Sequence, residues 1–417
     1  MKLSRRQFLA ASSLAGVSAW TGFASPRAYG ANERLRLAII GCGGIVREHL
    51  DSLLPMLSEE NIEIVQLCDV YDRRVRQYVG KIEKAQAAPE LTAEYRKVLE
   101  RPDIDYVIIA TPEHAHAHIT LDALDAGKHV YVQKPVSHTI EEAQAIVAKV
   151  NSTSLKLQVG VQGTADDSYR AAREAILAGK IGKVVSAQID YVRDYSLDSG
   201  PWRTGAKGEK PLPDGLDWKA WQHPAAEREW DPHRYFEWRC YRDYSGGIAT
   251  DLFVHRVTRL LVACGLGFPS KVAGMGGIYS WPDGRDLPDS MELLAEYPAV
   301  EGITDGMTLH VLGTMTNEDG NAHCIRGTEA TIYFEDPGFV IRKEKGGEVI
   351  ASHTRTGSES MVPHHKNHHK AIREGAPLDC PAELGLHGLA VCRMANLSWF
   401  EGRMMRWNAD AGKAEAV

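Results

Sequence analysis

The chain has 417 residues, 44% of them hydrophobic, 25% charged and 8% aromatic. That length carries two or three domains of about 100–200 residues each, and the ordinary globular composition excludes collagen-like, coiled-coil and disordered readings. A formal net charge of −7 argues against a nucleic-acid partner held by phosphate contacts, and no apolar run is long enough to span a membrane.

The first thirty residues stand apart. They carry Lys2, Arg5, Arg6 and Arg27, no acid, and a largely apolar run from Phe8 to Ala19. Ser4-Arg5-Arg6-Gln7-Phe8-Leu9 resembles the twin-arginine export signal, and Ala28-Tyr29-Gly30 reads as a small-residue cleavage site. The resemblance implies a signal peptide over 1–30, the twin-arginine translocation machinery as a partner, and a periplasmic or otherwise exported protein. The cysteines, at positions 42, 68, 240, 264, 324, 380 and 392, form no CxxC pair and imply neither a zinc site nor a disulfide framework. Their odd number leaves at least one thiol free or paired between chains.

From Leu35 the pattern alternates. Leu35–Ile40 reads as a buried strand running into Gly41-Cys42-Gly43-Gly44 and a helix from Ile45. Strands follow over Ile62–Cys68, Tyr106–Ala110, Lys128–Val132 and Leu155–Val161, with helices over His116–Ala126 and Glu141–Val150. Strands alternating with helices predict an α/β fold with a doubly wound parallel sheet, whose ligand crevice lies at the carboxyl ends of the strands. Past about residue 180 the alternation stops. Lys183–Val192 is β-like, 198–245 is a Gly-, Pro- and Trp-rich insertion, and a helix is expected over Ile248–Ala263. β-like segments near 269–280, 291–298, 306–316, 322–334 and 337–343 predict a C-terminal α+β domain with an open, largely antiparallel sheet. Helices return at 364–374 and 383–400 and are free to pack back on the first domain.

The strand-to-helix turn holds the first chemistry. Gly41, Gly43, Gly44, Ile45 and Val46 place backbone N–H groups where a pyrophosphate can approach a helix N-terminus. Asp69 closes the second strand, where an acid receives adenosine ribose hydroxyls and repels a 2′-phosphate, so NAD is expected over NADP. A tight turn and a helix cap would leave the same residues.

Three further segments, Thr111-Pro112-Glu113-His114-Ala115-His116, Ala126-Gly127-Lys128-His129-Val130 continuing to Gln133-Lys134-Pro135, and Gly246-Gly247-Ile248-Ala249-Thr250-Asp251-Leu252-Phe253-Val254-His255, complete a pattern. Together they resemble the glucose–fructose oxidoreductase, inositol dehydrogenase and rhizopine-catabolism family. The resemblance runs from about residue 34 to near the C-terminus. It implies an NAD-binding Rossmann domain over 31–160 and a substrate or oligomerisation domain over 161–417. It also implies Lys134, Asp251 and His255 as catalytic residues, a cis Pro135, and a homo-oligomer, dimer or tetramer. Asp251 and His255, four apart on one helix, supply a carboxylate-assisted imidazole base for a sugar hydroxyl, and the Lys134 ammonium can steady the reacting oxygen. Gln133 and Val46 depart from the glutamate and the small residue of many relatives. Thr111, Pro112, His114, His116, Gln133 and Gln162 are candidate cofactor contacts, and Tyr169 and Arg239 candidate substrate contacts. Trp202, Trp218, Trp221, Trp230 and Trp238, with Tyr235, Tyr241 and Tyr244, suit either a sugar or the packing of a long loop. His364-His365-Lys366-Asn367-His368-His369 has i,i+4 histidine pairs but no acid or cysteine to complete a metal site, so no metal is expected and a solvated or pocket-edge helix start is.

The expected function is an exported NAD-dependent oxidoreductase acting on a sugar, polyol or glycoside, with tightly bound cofactor. The alternative is an NAD-dependent glycosidase or keto-sugar lyase that oxidises the ring transiently, with Tyr169 or a tyrosine between 191 and 244 as acid or base. A non-catalytic sugar or cofactor sensor is disfavoured by the intact Lys134, Asp251 and His255 set.

Overall fold

The computed structural model describes residues 34–195, 197–198, 200–203, 210–343 and 347–417. The expected signal peptide lies outside them. Six strands pair in parallel: β1 (Leu35–Ile40), β2 (Ile62–Cys68), β3 (Glu90–Thr92), β4 (Tyr106–Ile109), β5 (His129–Gln133) and β6 (Leu157–Gly160). Their order, β3-β2-β1-β4-β5-β6, reverses between β1 and β4, which opens a crevice at the strands' carboxyl ends. β1 and β4 are almost wholly buried because helices cover both faces. β3 escapes a reading of apolar runs because it is three residues long and mostly exposed. The Ile140–Asn151 helix starts on a capping box, Glu142 N donating to Thr139 Oγ1 at 3.2 Å and Thr139 N to Glu142 Oε2 at 2.9 Å.

The second sheet contains β7 (Val184–Asp194), β8 (Lys271–Gly277), β9 (Ser290–Tyr297), β10 (Met307–Thr314), β11 (Thr316–Asn317), β12 (Cys324–Gly327), β13 (Ala330–Glu335), β14 (Gly338–Lys343), β15 (Val349–Thr354), β16 (Met405–Asn408) and β17 (Lys413–Ala416). Its order is β15-β14-β13-β12-β7-β10-β9-β8-β16-β17, with β11 on β7, and only β7 and β10 pair in parallel. Strict alternation of buried and exposed residues along β9 shows one face against helices and the other open. The β-like run at 322–334 is two strands joined by a reversal at Thr328 and Glu329. β15 carries no buried alternation and gave no sequence signal.

The last two helices tie the sheets together. Met361–Glu374 packs on the Val46–Leu53 helix, and Ala382–Glu401 packs on Ile140–Asn151, β6 and β8. A Cβ at Gly385 would lie 2.7 Å from Val159 Cγ2, so this approach needs glycine.

The histidine run corrects the sequence reading. His364, His365, His368 and His369 are not at a solvated or pocket-edge helix start; all four are fully buried. The helix begins earlier, at Met361, and turns these rings onto the first sheet, where tyrosine hydroxyls meet them. Tyr131 OH lies 2.9 Å from His364 Nδ1, Tyr106 OH 2.9 Å from His369 Nε2, and His49 Nδ1 2.9 Å from His365 Nε2. Burial pushes His49 and His364 down to about 3. Among the described residues no group of histidine, cysteine, aspartate or glutamate is arranged to hold a metal. All seven cysteines are buried free thiols.

Candidate functional site

A cavity of about 870 Å³ follows the carboxyl edge of β1, β2, β4 and β5. Gly41 has φ +87°, and a Cβ there would lie 2.6 Å from Thr111 N, so neighbouring backbone excludes any side chain. Gly44 has nothing within 4 Å of a built Cβ and Gly43 only an Arg74 nitrogen at 4.0 Å. Both therefore open onto the cavity. The N–H groups of Gly43, Gly44 and Ile45 make no hydrogen bond to a described residue and face the start of the helix. Asp69 fixes the turn, its Oδ2 accepting from Cys42 N at 2.7 Å and its Oδ1 from Tyr71 N at 2.9 Å. Burial raises the Asp69 carboxyl above its ordinary range, against the pull of those N–H groups.

Lys134 stands in the cavity wall at the end of β5. Its Nζ donates at 2.7 Å to both the carbonyl and the Oδ1 of Asp251, and Arg239 Nε donates to the same Oδ1 at 3.0 Å. Burial alone would push the Asp251 carboxyl up, but the Arg239 and Lys134 charges outweigh it and hold the group well below the carboxylate range. The Lys134–Pro135 peptide is cis. The helix expected at Ile248–Ala263 begins as a π-helix over Ile248–Phe253 and becomes α-helical over Val254–Cys264. Asp251 is in the first part and His255 in the second, and no hydrogen bond joins them among the described residues. The Asp251 charge still reaches the imidazole. Burial first, then Lys134 and Arg259, hold His255 well below its ordinary value and disfavour its charged form.

Glu113, quoted in the motif but given no role from sequence, organises this region. It is fully buried and accepts from Ser245 Oγ at 2.6 Å, Gly246 N at 3.1 Å and Thr250 Oγ1 at 2.8 Å. A carboxylate of the first domain thus holds the turn that precedes Asp251. Burial and the Asp251 charge raise its carboxyl. His49 was missed as well. Gln133 Nε2 lies 2.7 Å from His49 Nε2, while Gln133 Oε1 accepts from Lys134 N at 3.3 Å. An amide suits a neutral imidazole partner here.

The insertion closes the other wall. Asp217 N donates to Val70 O at 2.9 Å and Asp72 N to Gly215 O at 3.0 Å, so it straps across the end of β2. Trp221, Tyr235, Phe236 and Trp238 line the cavity. Trp218, Tyr241 and Tyr244 pack in an aromatic cluster with Tyr71 and Leu216. The aromatic loop therefore both packs itself and covers the crevice.

Of the sequence candidates, Gly41, Gly43, Gly44, Ile45, Asp69, Thr111, Pro112, His116, Gln133, Lys134 and Arg239 line the cavity. Val46 is buried in the helix start, and Gln162 opens a turn away from the wall. His116 braces two loops, 2.8 Å from Thr111 O and 2.7 Å from Pro135 O. His114 is turned from the cavity, with Nε2 2.9 Å from Trp221 O and its ring against Trp221 and Tyr244. Tyr169 is buried, stacked on His323 and Phe334. Arg74, in the wall beside Asp69, carried no sequence signal.

The family model described as "Oxidoreductase family, NAD-binding Rossmann fold" matches residues 35–161. The chain is 32% identical over 169 residues to the scyllo-inositol 2-dehydrogenase (NAD(+)) of Bacillus subtilis (strain 168), a match covering 40% of this chain and 46% of that protein. It is 26% identical over 185 residues to the alpha-N-acetylgalactosaminidase of Shewanella oneidensis, covering 41% of this chain and 39% of that protein. The chain thus spans less than half the length of both curated relatives. The fold likeness extends further: an oxidoreductase domain protein from Kribbella flavida superposes with a TM-score of 0.68 at 20% identity, covering 89% of this chain and 99% of that one. Residues 35–161 thus match the NAD-binding domain of the Gfo/Idh/MocA oxidoreductases.

Proposed function

We propose that this chain is an exported NAD-dependent oxidoreductase that acts on a CH–OH group of a sugar, polyol or glycoside and keeps its cofactor through turnover. The observation that carries the reading is the Lys134 ammonium in the cavity wall, fixed by Asp251 beside Arg239, with His255 one turn further on. The likeness to an NAD(+)-dependent inositol dehydrogenase supports a polyol or sugar substrate.

The residues fit a dinucleotide. The open faces of Gly43 and Gly44 and the unused N–H groups beside them suit a pyrophosphate, and Asp69 suits ribose hydroxyls while disfavouring a 2′-phosphate. Lys134 and Gln133 would border the nicotinamide, which when bound supplies the hydride acceptor. The chain's own groups handle the proton. Lys134 Nζ donates to the substrate oxygen and stabilises negative charge on it. A nitrogen of the neutral His255 imidazole takes the hydroxyl proton, and Asp251 offsets the positive charge that results. The strap over the crevice supports retention, which an exported enzyme needs because free NAD is not supplied outside the cytoplasm. Residues on the open face of the second sheet, among them Met275 and Leu294 at 75% and 51% exposure, support a homo-oligomer.

Mass spectrometry of cofactor released from extensively dialysed protein, followed by single-turnover absorbance on a sugar panel, tests the reading. Stoichiometric NAD reduced by one sugar class is the expected result. An empty protein that binds added NAD weakly refutes retention. The glycosidase or lyase reading draws support from the galactosaminidase likeness, and it requires aglycone release with no lasting nicotinamide absorbance.

A further inference from the structure

The inward face of β7 runs on past the helix that covers it. Ala187 and Ile189 are buried under Val254–Cys264, and the same alternation carries Tyr191, Arg193 and Tyr195 out from beneath it. Arg193 donates from Nη2 to Tyr191 OH at 2.6 Å and from Nη1 to Tyr195 OH at 3.2 Å. Its guanidinium carbon is 5.1 Å from the Tyr191 ring centroid. Arg256, next in sequence to His255, lies over the same ring at 5.1 Å. Two cations therefore converge on one aromatic ring, and the charge of one of them, Arg256, reaches the candidate base His255.

Other cations nearby are matched. Lys134 and Arg239 share Asp251, and Arg259 pairs with Glu359, Nη2 to Oε2 at 2.7 Å. Arg193 and Arg256 form no ion pair among the described residues, and Arg256 Nε is buried with no hydrogen-bond partner. Asp190, on the same strand, feels the Arg256 charge but packs at Gly320, where a Cβ would meet its Oδ2 at 2.1 Å, and Asp194, next to Arg193, points to the opposite face of the strand. His323, stacked on Tyr169 and Phe334, adds a second buried and unpartnered nitrogen, Nε2, within reach of the Arg256 charge.

We propose that Arg193, Arg256 and Tyr191 form a subsite for a carboxylate on the substrate, so that the sugar acted on is a uronic acid or another sugar acid. The inference rests on the oxidoreductase reading above and narrows its substrate class. A guanidinium group matches a carboxylate in geometry and charge, and two such groups without an ion pair among the described residues favour an anion over a neutral sugar. A carboxylate there would also offset the Arg256 charge, which acts on His255 beside the larger effect of burial.

Calorimetric titration of the purified protein with glucuronate, galacturonate and mannuronate, against glucose, galactose, mannose and glucose 6-phosphate, tests the subsite without turnover. One uronate should bind about tenfold or more tighter than its parent sugar. Arg193→Gln and Arg256→Gln should each lose about tenfold for that uronate and leave the parent sugar and the NAD content unchanged. Arg256→Lys, which keeps charge without the fork, should fall between. Equal affinities for uronates and parent sugars, or equal losses for both, would overturn the proposal. Tighter binding of glucose 6-phosphate would overturn the carboxylate assignment. Selective uronate binding without any nicotinamide reduction would leave the subsite standing and refute the oxidoreductase reading.

Discussion

Replacing Glu113 tests whether the seam between the domains holds the catalytic turn. In Glu113→Ala three donors lose their acceptor. Gly246 N keeps a second bond to Thr250 Oγ1 at 3.0 Å, so the loss falls on the hydroxyls of Ser245 and Thr250. An unsatisfied buried donor costs roughly 1–3 kcal/mol, and some relief comes from removing a buried carboxylate, so the net loss should be about 2–4 kcal/mol. At about 2–4 °C per kcal/mol, the transition of the affected domain should fall by roughly 5–10 °C. Scanning calorimetry reads that shift, and single-turnover kinetics should show slower chemistry with unchanged NAD content, because Gly41–Ile45 is untouched. Glu113→Gln adds a sign. The Glu113 carboxyl is raised in the folded state, so the folded chain holds its proton to higher pH than the unfolded chain, and ionising it costs stability as pH rises past the unfolded value. The gap between Glu113→Gln and the parent should therefore narrow from pH 5 to pH 8. A Glu113→Ala protein melting within about 1 °C of the parent, with unchanged turnover, would refute the argument.

Four further outcomes are expected. Gly41→Ala should lose about 2 kcal/mol or more in denaturant unfolding and retain little NAD, whereas Gly44→Ala should fold like the parent and lose only dinucleotide affinity. Asp251→Asn should slow turnover on the order of a hundredfold by freeing Lys134 and Arg239, with NAD stoichiometry preserved on mass spectrometry. Leu216→Asp, which places a charge in the aromatic cluster at 7% exposure, should speed NAD release in a stopped-flow chase without altering the hydride step. The buried histidines should make the fold acid-labile. His49 and His364 are pushed down to about 3 and His114 and His116 to about 4, so below the unfolded value near 6.5 the unfolded chain binds more protons. The stability is present above that value and is lost as pH falls, by about 1.4 kcal/mol per histidine per pH unit. Urea unfolding at pH 7.5 and 5.5 checks this, and equal midpoints would contradict it.

The first domain was legible because each buried strand is a short apolar run closed by a turn signal, and Gly41, Asp69 and Lys134 fall at successive strand ends. The second sheet was legible in class but not in count. β15 to β17 are exposed or short, and tertiary pairing defines them more than their residues do. The π-turn at Ile248–Phe253 lies in a run that reads as ordinary helix, and its wider winding left no separate signal. It is imposed by Gly247 at φ +61° and by the grip of Glu113 on Ser245, Gly246 and Thr250. The histidine helix looked polar because its partners, Tyr106, Tyr131 and His49, are over two hundred positions away in sequence. Long-range hydrogen bonds of this kind convert a polar face into core, and no local pattern announces them.

The strap and the Met361–Glu374 helix also impose an order on biosynthesis. A ribosome delivers the parallel sheet first, yet the hydroxyls of Tyr106 and Tyr131 and the Nδ1 of His49 meet their partners only when the Met361–Glu374 helix emerges. The outer wall of the crevice, from Asp217 to Arg239, also arrives after the glycine turn. Nascent first domain is thus a receptor without its cover, and a dinucleotide captured early would be free to leave. Stable loading belongs to the assembled halves, because tighter binding to the covered crevice adds more binding energy to the joined state than to the first domain alone.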